Sequence, residues 1–201
     1  MALTAEIVKL SDVPLDPVAM QLREKIVRAS GEESHNKSFP IYDWQRLSYA
    51  YSRLQSGQRC LEVGPGRGYL TTMMWRQKKF EEVHAIDIVD RVLPKNVLFQ
   101  KMSVDSLEYE DKHFDCVICM EVLEHLDDEQ LYRGLAEIRR VSRSQLVMSV
   151  PYCEPLPLPK YHKQSFDEAR IREMFPNARY SLLLKEPIMR VPWLLMEESF
   201  G

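Results

Sequence analysis

Glycine is scarce in this chain, seven residues in 201, and cysteine scarcer still at four. So few glycines, beside twelve prolines, exclude a collagen-like or low-complexity protein. Two of the thiols, Cys116 and Cys119, form a C-x-x-C inside the apolar run FDCVICM. Residues three apart on a strand face opposite ways and cannot readily share a metal. With Cys60 and Cys153 they read as unpaired thiols of a reducing, cytoplasmic setting. No run of about 18 apolar residues occurs, which excludes a membrane-spanning helix. The opening MALTAEIVKLSDVPLD lacks the apolar centre of a secretory signal. An excess of one charge is missing too. Twenty-seven basic against 30 acidic residues leave a net of −3, which argues against a nucleic-acid partner or a basic membrane surface. What is present is ordinary globular composition, 45% apolar and 28% charged. The length suits one domain, expected over residues 41–201, behind an N-terminal helical extension over 1–40.

The first forty residues hold one weak helical stretch, residues 17–29, and the polar segment from Ser30 to Pro40 reads as a loop. Helical spacing resumes at Asp43, an N-cap candidate, with Trp44, Leu47, Tyr51 and Leu54 on one face. Short apolar runs then recur at 59–64, 82–87, 97–102, 114–120 and 145–150. Between them lie a helix after Gly68, a short segment near Val89 to Leu93, and the amphipathic stretch from Asp128 to Val141. A helix over 166–174 precedes two closing strands, RYSLLL and VPWLLME. Strands alternating with helices predict an α/β, Rossmann-like fold: a mostly parallel, seven-stranded sheet with helices on both faces.

The most informative stretch is Leu61-Glu62-Val63-Gly64-Pro65-Gly66-Arg67-Gly68-Tyr69. An apolar strand runs into three alternating glycines and a helix follows, a turn at which backbone can approach a ligand closely. The Gly-Lys-Ser/Thr ending of a phosphate-binding Walker loop is absent, and Tyr69 stands where the dinucleotide fingerprint needs its third glycine. Glu-x-Gly-x-Gly-x-Gly instead resembles the first motif of the class I S-adenosylmethionine-dependent methyltransferases. That resemblance implies S-adenosyl-L-methionine as cofactor, held by Glu62, Gly64, Pro65, Gly66 and Gly68. Asp87, ending the second strand, would accept the ribose hydroxyls, with Ile88 beside it. Met102, Ser103 and Val104 would line the adenine. Ser103 replaces the usual Asp there, and Asp105 is the carboxylate left to substitute for it. Met120 and Glu121, at the end of FDCVICM, would border the methionine part.

Glu121-Val122-Leu123-Glu124-His125 is similar to the corresponding stretch of ubiquinone-type O-methyltransferases and to the magnesium-binding motif of small-RNA 2′-O-methyltransferases. On a helix, Glu121, Glu124 and His125 at i, i+3 and i+4 share one face and suit a divalent cation such as Mg²⁺. His162 falls where the RNA enzymes place a further ligand. Without a metal, His125 or His162 is the candidate general base. His35, His84 and His113 read as surface or turn residues. Tyr42, Trp44, Tyr49 and Tyr51 are candidates to cover the cofactor, and the Pro151–Pro159 segment would border the acceptor. Arg139-Arg140-x-x-Arg143 reads as the solvated end of a helix. The resemblance therefore implies methyl transfer to a small-molecule hydroxyl or amine. A metal-dependent RNA 2′-O-methyltransferase and a catalytically silent binding protein of the same fold are the alternatives.

Overall fold

The computed structural model describes residues 3–185 and 191–200. Eight strands form one sheet: β1 (Ala5–Lys9), β2 (Gly57–Val63), β3 (Phe80–Asp87), β4 (Leu98–Lys101), β5 (Phe114–Met120), β6 (Ser142–Pro151), β7 (Arg179–Leu184) and β8 (Trp193–Ser199). Their order is β1-β7-β8-β6-β5-β2-β3-β4, and only β8 runs antiparallel to its neighbours. The seven expected strands are all present. The eighth, β1, lies in the extension that was expected to be helical alone. It pairs only with β7 and leaves Ile7 67% exposed, so it carries no core pattern for the sequence to reveal.

Six helices pack on the two faces: α1 (Pro17–Ser30), α2 (Glu32–Ser38), α3 (Ile41–Arg53), α4 (Tyr69–Arg76), α5 (Asp128–Val141) and α6 (Glu168–Met174). Helix α5 has the predicted bounds. Asp127 and Gln130 close a reciprocal capping box, and Leu131, Leu135, Ile138 and Val141 make its buried stripe. The segment expected as a loop after Ser30 contains α2 instead. Its support is electrostatic: Glu32 and Glu33 open it, and Lys37 reaches back 2.7 Å to Glu33. Helix α3 starts two residues before Asp43, with Pro40 in the cap position and no side-chain cap. Helix α6 starts at Glu168, capped by Asp167. Val89 to Leu93 forms no helix.

The central strands are buried on both faces, as parallel strands under two helix layers must be. Leu61, Val117 and Cys119 face α5 and α6, whereas Cys60, Cys116 and Ile118 face α3 and α4. Cys116 and Cys119 thus belong to opposite layers, as their spacing requires. Arg139 and Arg140, in the last turn of α5, and Arg143 just beyond it are partly exposed, as expected of a helix end, but each is also paired. Arg139 holds Glu198 and the Met174 carbonyl, Arg140 holds Glu137 and the Leu107 and Tyr109 carbonyls, and Arg143 holds Asp115. Chain order reverses between β2 and β5, so a crevice opens there at the carboxyl ends of the strands. Among the described residues no helix is long and apolar enough to cross a membrane.

Ile138 is fully buried and Tyr132, on the same helix, is 57% exposed. Ile138→Ala is expected to lower unfolding free energy by about 2–5 kcal/mol. Tyr132→Ala should stay within about 0.5 kcal/mol. Urea midpoints of the two variants check this, and equal midpoints would place α5 outside the core.

Candidate active site

Strand β2 delivers the glycine loop to the crevice. Gly64 has φ +66° and lies so close to Val122 that a Cβ would come within 2.5 Å of a methyl carbon. Gly66, at φ +53°, faces open space, the side on which a ligand can approach bare backbone. Glu62 is 4% exposed and accepts a hydrogen bond from the Thr71 hydroxyl at the start of α4. Burial pushes its carboxyl up to about 7, and the bond from Thr71 only partly opposes that.

Strand β3 ends on Asp87, which is buried and accepts from the Val89 amide at 3.2 Å and from Arg91 Nε at 2.7 Å. Its own carbonyl receives the Met102 amide, which fixes the segment after β4 alongside it. Ser103 donates its hydroxyl to Asp105, so these two act as one polar unit in place of the usual carboxylate. Val104 is buried against Gly134 of α5, where a Cβ would meet it at 3.1 Å. Ile88 is 68% exposed beside the crevice. Glycine loop, Asp87 and Ile88 thus follow the carboxyl ends of the adjacent parallel strands β2 and β3.

At the end of β5, Met120 and Glu121 border a cavity of about 250 Å³ with the glycine loop, Phe39, Arg46, Glu62 and Tyr69. Glu121 adopts φ +55°. Its amide donates to the Ser149 carbonyl, and its carboxylate accepts from the Ser149 hydroxyl at 2.7 Å. Arg46, 8% exposed on α3, stacks on Trp193 at 4.3 Å and places Nη1 3.1 Å from Glu121. Among the described residues its buried Nε has no hydrogen-bond partner, and Nη1 meets only the Glu121 carboxylate. The sequence reading missed Arg46. The available signal was a cation on the apolar face of α3, next to Leu47 and one turn from Ala50.

The aromatic expectation needs correction. Trp44 is fully buried and stacks under Tyr69 at 4.5 Å. Tyr49 bonds Ser181, and Tyr51 packs on Lys79 at the far end of α3. Phe39 and Tyr69 are the aromatic rings that line the cavity. Nor is His35 a surface residue: it is 1% exposed and accepts the Trp44 indole N–H at 2.9 Å. His84 is buried within a ring cluster with Tyr109, His113 and Phe114.

Beyond Glu121 the chain makes a 3-10 turn, Leu123–His125, rather than the α-helix that would have put Glu121 on the same face as Glu124 and His125. Glu121 therefore leaves the candidate metal set for Arg46 and Ser149. The other three do converge, with ligand atoms of Glu124, His125 and His162 all within 4.8 Å of one another. Glu124 is 2% exposed and its Oε2 has no partner. Burial, and then neighbouring Glu121, raise its carboxyl well above the usual range. His125 Nδ1 donates to the Tyr161 carbonyl at 2.9 Å, and His162 Nδ1 faces the Glu154 carboxylate at 2.6 Å. Both imidazoles thereby keep Nε2 as the free lone pair. Glu154, in the segment after β6, was not anticipated. The larger cleft on the protein, about 650 Å³, lies at the opposite end of the sheet beside β1 and β7, where Arg53 and Arg179 are already paired with Glu197.

A glycine loop at the β2/β5 crevice, an acid ending the neighbouring β3 and a cavity between the loop and the end of β5 define a protein of the class I methyltransferase fold. The match to the family described as methyltransferase domain, over residues 33–182, shows that the chain belongs to that family of class I S-adenosylmethionine-dependent methyltransferases. A ubiquinone biosynthesis O-methyltransferase of Nitrosospira multiformis is 34% identical over 109 residues, covering 47% of this chain and only 44% of that protein. Among solved structures, the magnesium protoporphyrin IX methyltransferase of Synechocystis with bound S-adenosylhomocysteine aligns with TM-score 0.65 and 15% identity, covering 92% of this chain and 95% of that one. The 1,6-didemethyltoxoflavin-N1-methyltransferase of Burkholderia thailandensis, also with S-adenosylhomocysteine, aligns with TM-score 0.63 and 20% identity, covering 94% and 92%.

The fold holds the Glu62 proton more tightly than an unfolded chain, whose carboxyl titrates near 4.5. Its stabilising contribution is therefore complete below about pH 4.5 and is lost as pH rises through about 7. The thermal midpoint of cofactor-free protein should fall across that window, and Glu62→Gln should flatten the fall. Parallel curves for the two proteins would contradict the assignment.

Proposed function

We propose that the protein is an S-adenosylmethionine-dependent methyltransferase acting on a hydroxyl or amine of a compact small molecule. The observation that carries this reading is the split at the end of β5. Glu121 turns toward the cofactor cavity, while Glu124 and His125, a turn later, meet His162 on the other side. A cofactor seated on the glycine loop would place its ribose at Asp87 and its adenine against Ser103 and Val104. Its carboxylate would face the Arg46 guanidinium. When bound, the cofactor would supply an electrophilic methyl group to the acceptor oxygen or nitrogen, with sulfur as the leaving group. A free Nε2 of His125 or His162 takes the acceptor's proton and passes it to water. Holding acceptor and methyl in line contributes several kcal/mol, on the order of 7–11 at best. The connection from β6 to α6, residues 152–167, carries no helix or strand that would cap the site, which suits a small acceptor, and four free thiols suit a reducing, cytoplasmic setting. The balanced charge disfavours an RNA end as acceptor.

A second reading rests on the unpartnered, buried Glu124 oxygen. One carboxylate and two imidazole Nε2 atoms, each ring steadied through Nδ1, fit a transition-metal ion such as Mn²⁺, Fe²⁺ or Zn²⁺ better than Mg²⁺, which prefers oxygen ligands. Such an ion would acidify a bound hydroxyl acceptor. Glu124, His125 and His162 would hold it, with Glu154 and the Tyr161 carbonyl behind the rings.

Calorimetric titration of S-adenosylhomocysteine is expected to show micromolar binding, about −8 kcal/mol. Asp87→Ala should weaken it at least about tenfold, roughly the loss of a charge-assisted hydrogen-bond pair. His125→Ala should keep that affinity yet lose transfer of labelled methyl to a panel of compact phenols and amines. Full transfer by His125→Ala removes the metal role and leaves His162 as the remaining base, which His162→Ala then tests. Mn²⁺ or Zn²⁺ titrated alone separates the base and metal roles: heat lost in Glu124→Gln favours the ion, and no heat in the wild type leaves the base.

A further inference from the structure

The segment from Ile88 to Leu93 crosses the mouth of the crevice with few anchors. Ile88, Val89 and Val92 are 68%, 46% and 100% exposed. Asp90 makes a surface pair with Lys101 at 3.4 Å, its partners 85% and 59% exposed, which solvent largely screens. Two anchors are stronger. Leu93 fills the space over Gly68, so near that a Cβ there would come within 2.3 Å of its methyl carbon. Arg91 Nε donates to Asp87 Oδ2 at 2.7 Å, with the acid side chain 7% exposed and the arginine 34%. The other oxygen, Oδ1, receives the Val89 amide. Each oxygen of the acid at the end of β3 therefore already accepts one hydrogen bond, and both come from this one segment.

We propose that Arg91 is a built-in competitor for the cofactor's ribose, a clasp whose guanidinium crowds Asp87 Oδ2 where a ribose hydroxyl would bind. The inference rests on the reading of Asp87 as the ribose acid. A ribose diol donates two hydrogen bonds in roughly one plane and needs the oxygen that Arg91 holds. The arginine is free to go, because a third of its side chain already meets solvent and Asp87 is its partner in the structure. Leu93 keeps the segment attached over Gly68 while Arg91 swings out. The clasp returns as the spent cofactor departs, so the same contact that slows entry prevents S-adenosylhomocysteine from lingering on a vacant acid.

The test compares S-adenosylhomocysteine binding to wild type, Arg91→Gln, Arg91→Lys and Asp87→Ala by calorimetry, with unfolding midpoints to confirm folding. Arg91→Gln is expected to bind about fivefold tighter, the upper range for a partly exposed ion pair. Arg91→Lys should lie between it and the wild type, and the gap should shrink at high salt, where the pair is screened. Weaker binding by Arg91→Gln would overturn the proposal and make Arg91 a support of Asp87 or a contact of the cofactor. Unchanged binding, with Asp87→Ala still losing affinity, would overturn the clasp and leave the ribose site standing. No binding by any of the four proteins would overturn both.

Discussion

The architecture of this site depends on how β5 leaves the sheet. At Glu121 the backbone turns into the left-handed region, and the turn is secured from three sides: by the Ser149 carbonyl, the Ser149 hydroxyl and the Arg46 guanidinium. Left-handed backbone at a residue with a Cβ is costly and persists only where its surroundings over-determine it. Here the strain divides one short motif between two jobs. Glu121 is drawn to the cofactor cavity, and the tight turn that follows lifts Glu124 and His125 toward His162. Had the chain continued as an α-helix, all three would have crowded one point, and Arg46 would have lacked its partner.

The crevice gathers four acids, Glu62, Asp87, Glu121 and Glu124, and settles their charge in two ways. Arg46 meets Glu121 and Arg91 meets Asp87. Among the described residues Glu62 and Glu124 pair with no arginine or lysine, and burial favours their protonated forms. A positive centre brought near either of those two would favour release of its proton, so ionisation on both sides of the β5 turn is coupled to what binds there.

Most of the scaffold was legible because it follows local rules. Helix α5 was readable from its apolar stripe, and seven strands from continuous apolar runs between turns. The glycine loop was legible because a close backbone turn between strand and helix needs glycines in a particular order. What escaped depends on partners distant in sequence. Strand β1 exists by pairing with β7, about 170 residues later in the chain, and its exposed face hides it from any periodicity. Arg46 acquires meaning only from Trp193 and Glu121, and Glu154 only from His162. The departure of Glu121 from the metal set turns on one φ angle, for which a Glu gives no sign.

Gly134 sits on α5, far in sequence from the segment after β4, yet its missing side chain fixes how closely Val104 can settle. The depth at which that segment lies is consequently written on a helix that does not itself line the 250 Å³ cavity. Adding volume at 134 would push Val104 outward and carry the neighbouring Ser103–Asp105 pair with it. A single methyl group on a distant helix is thus enough to reset the rim of the crevice.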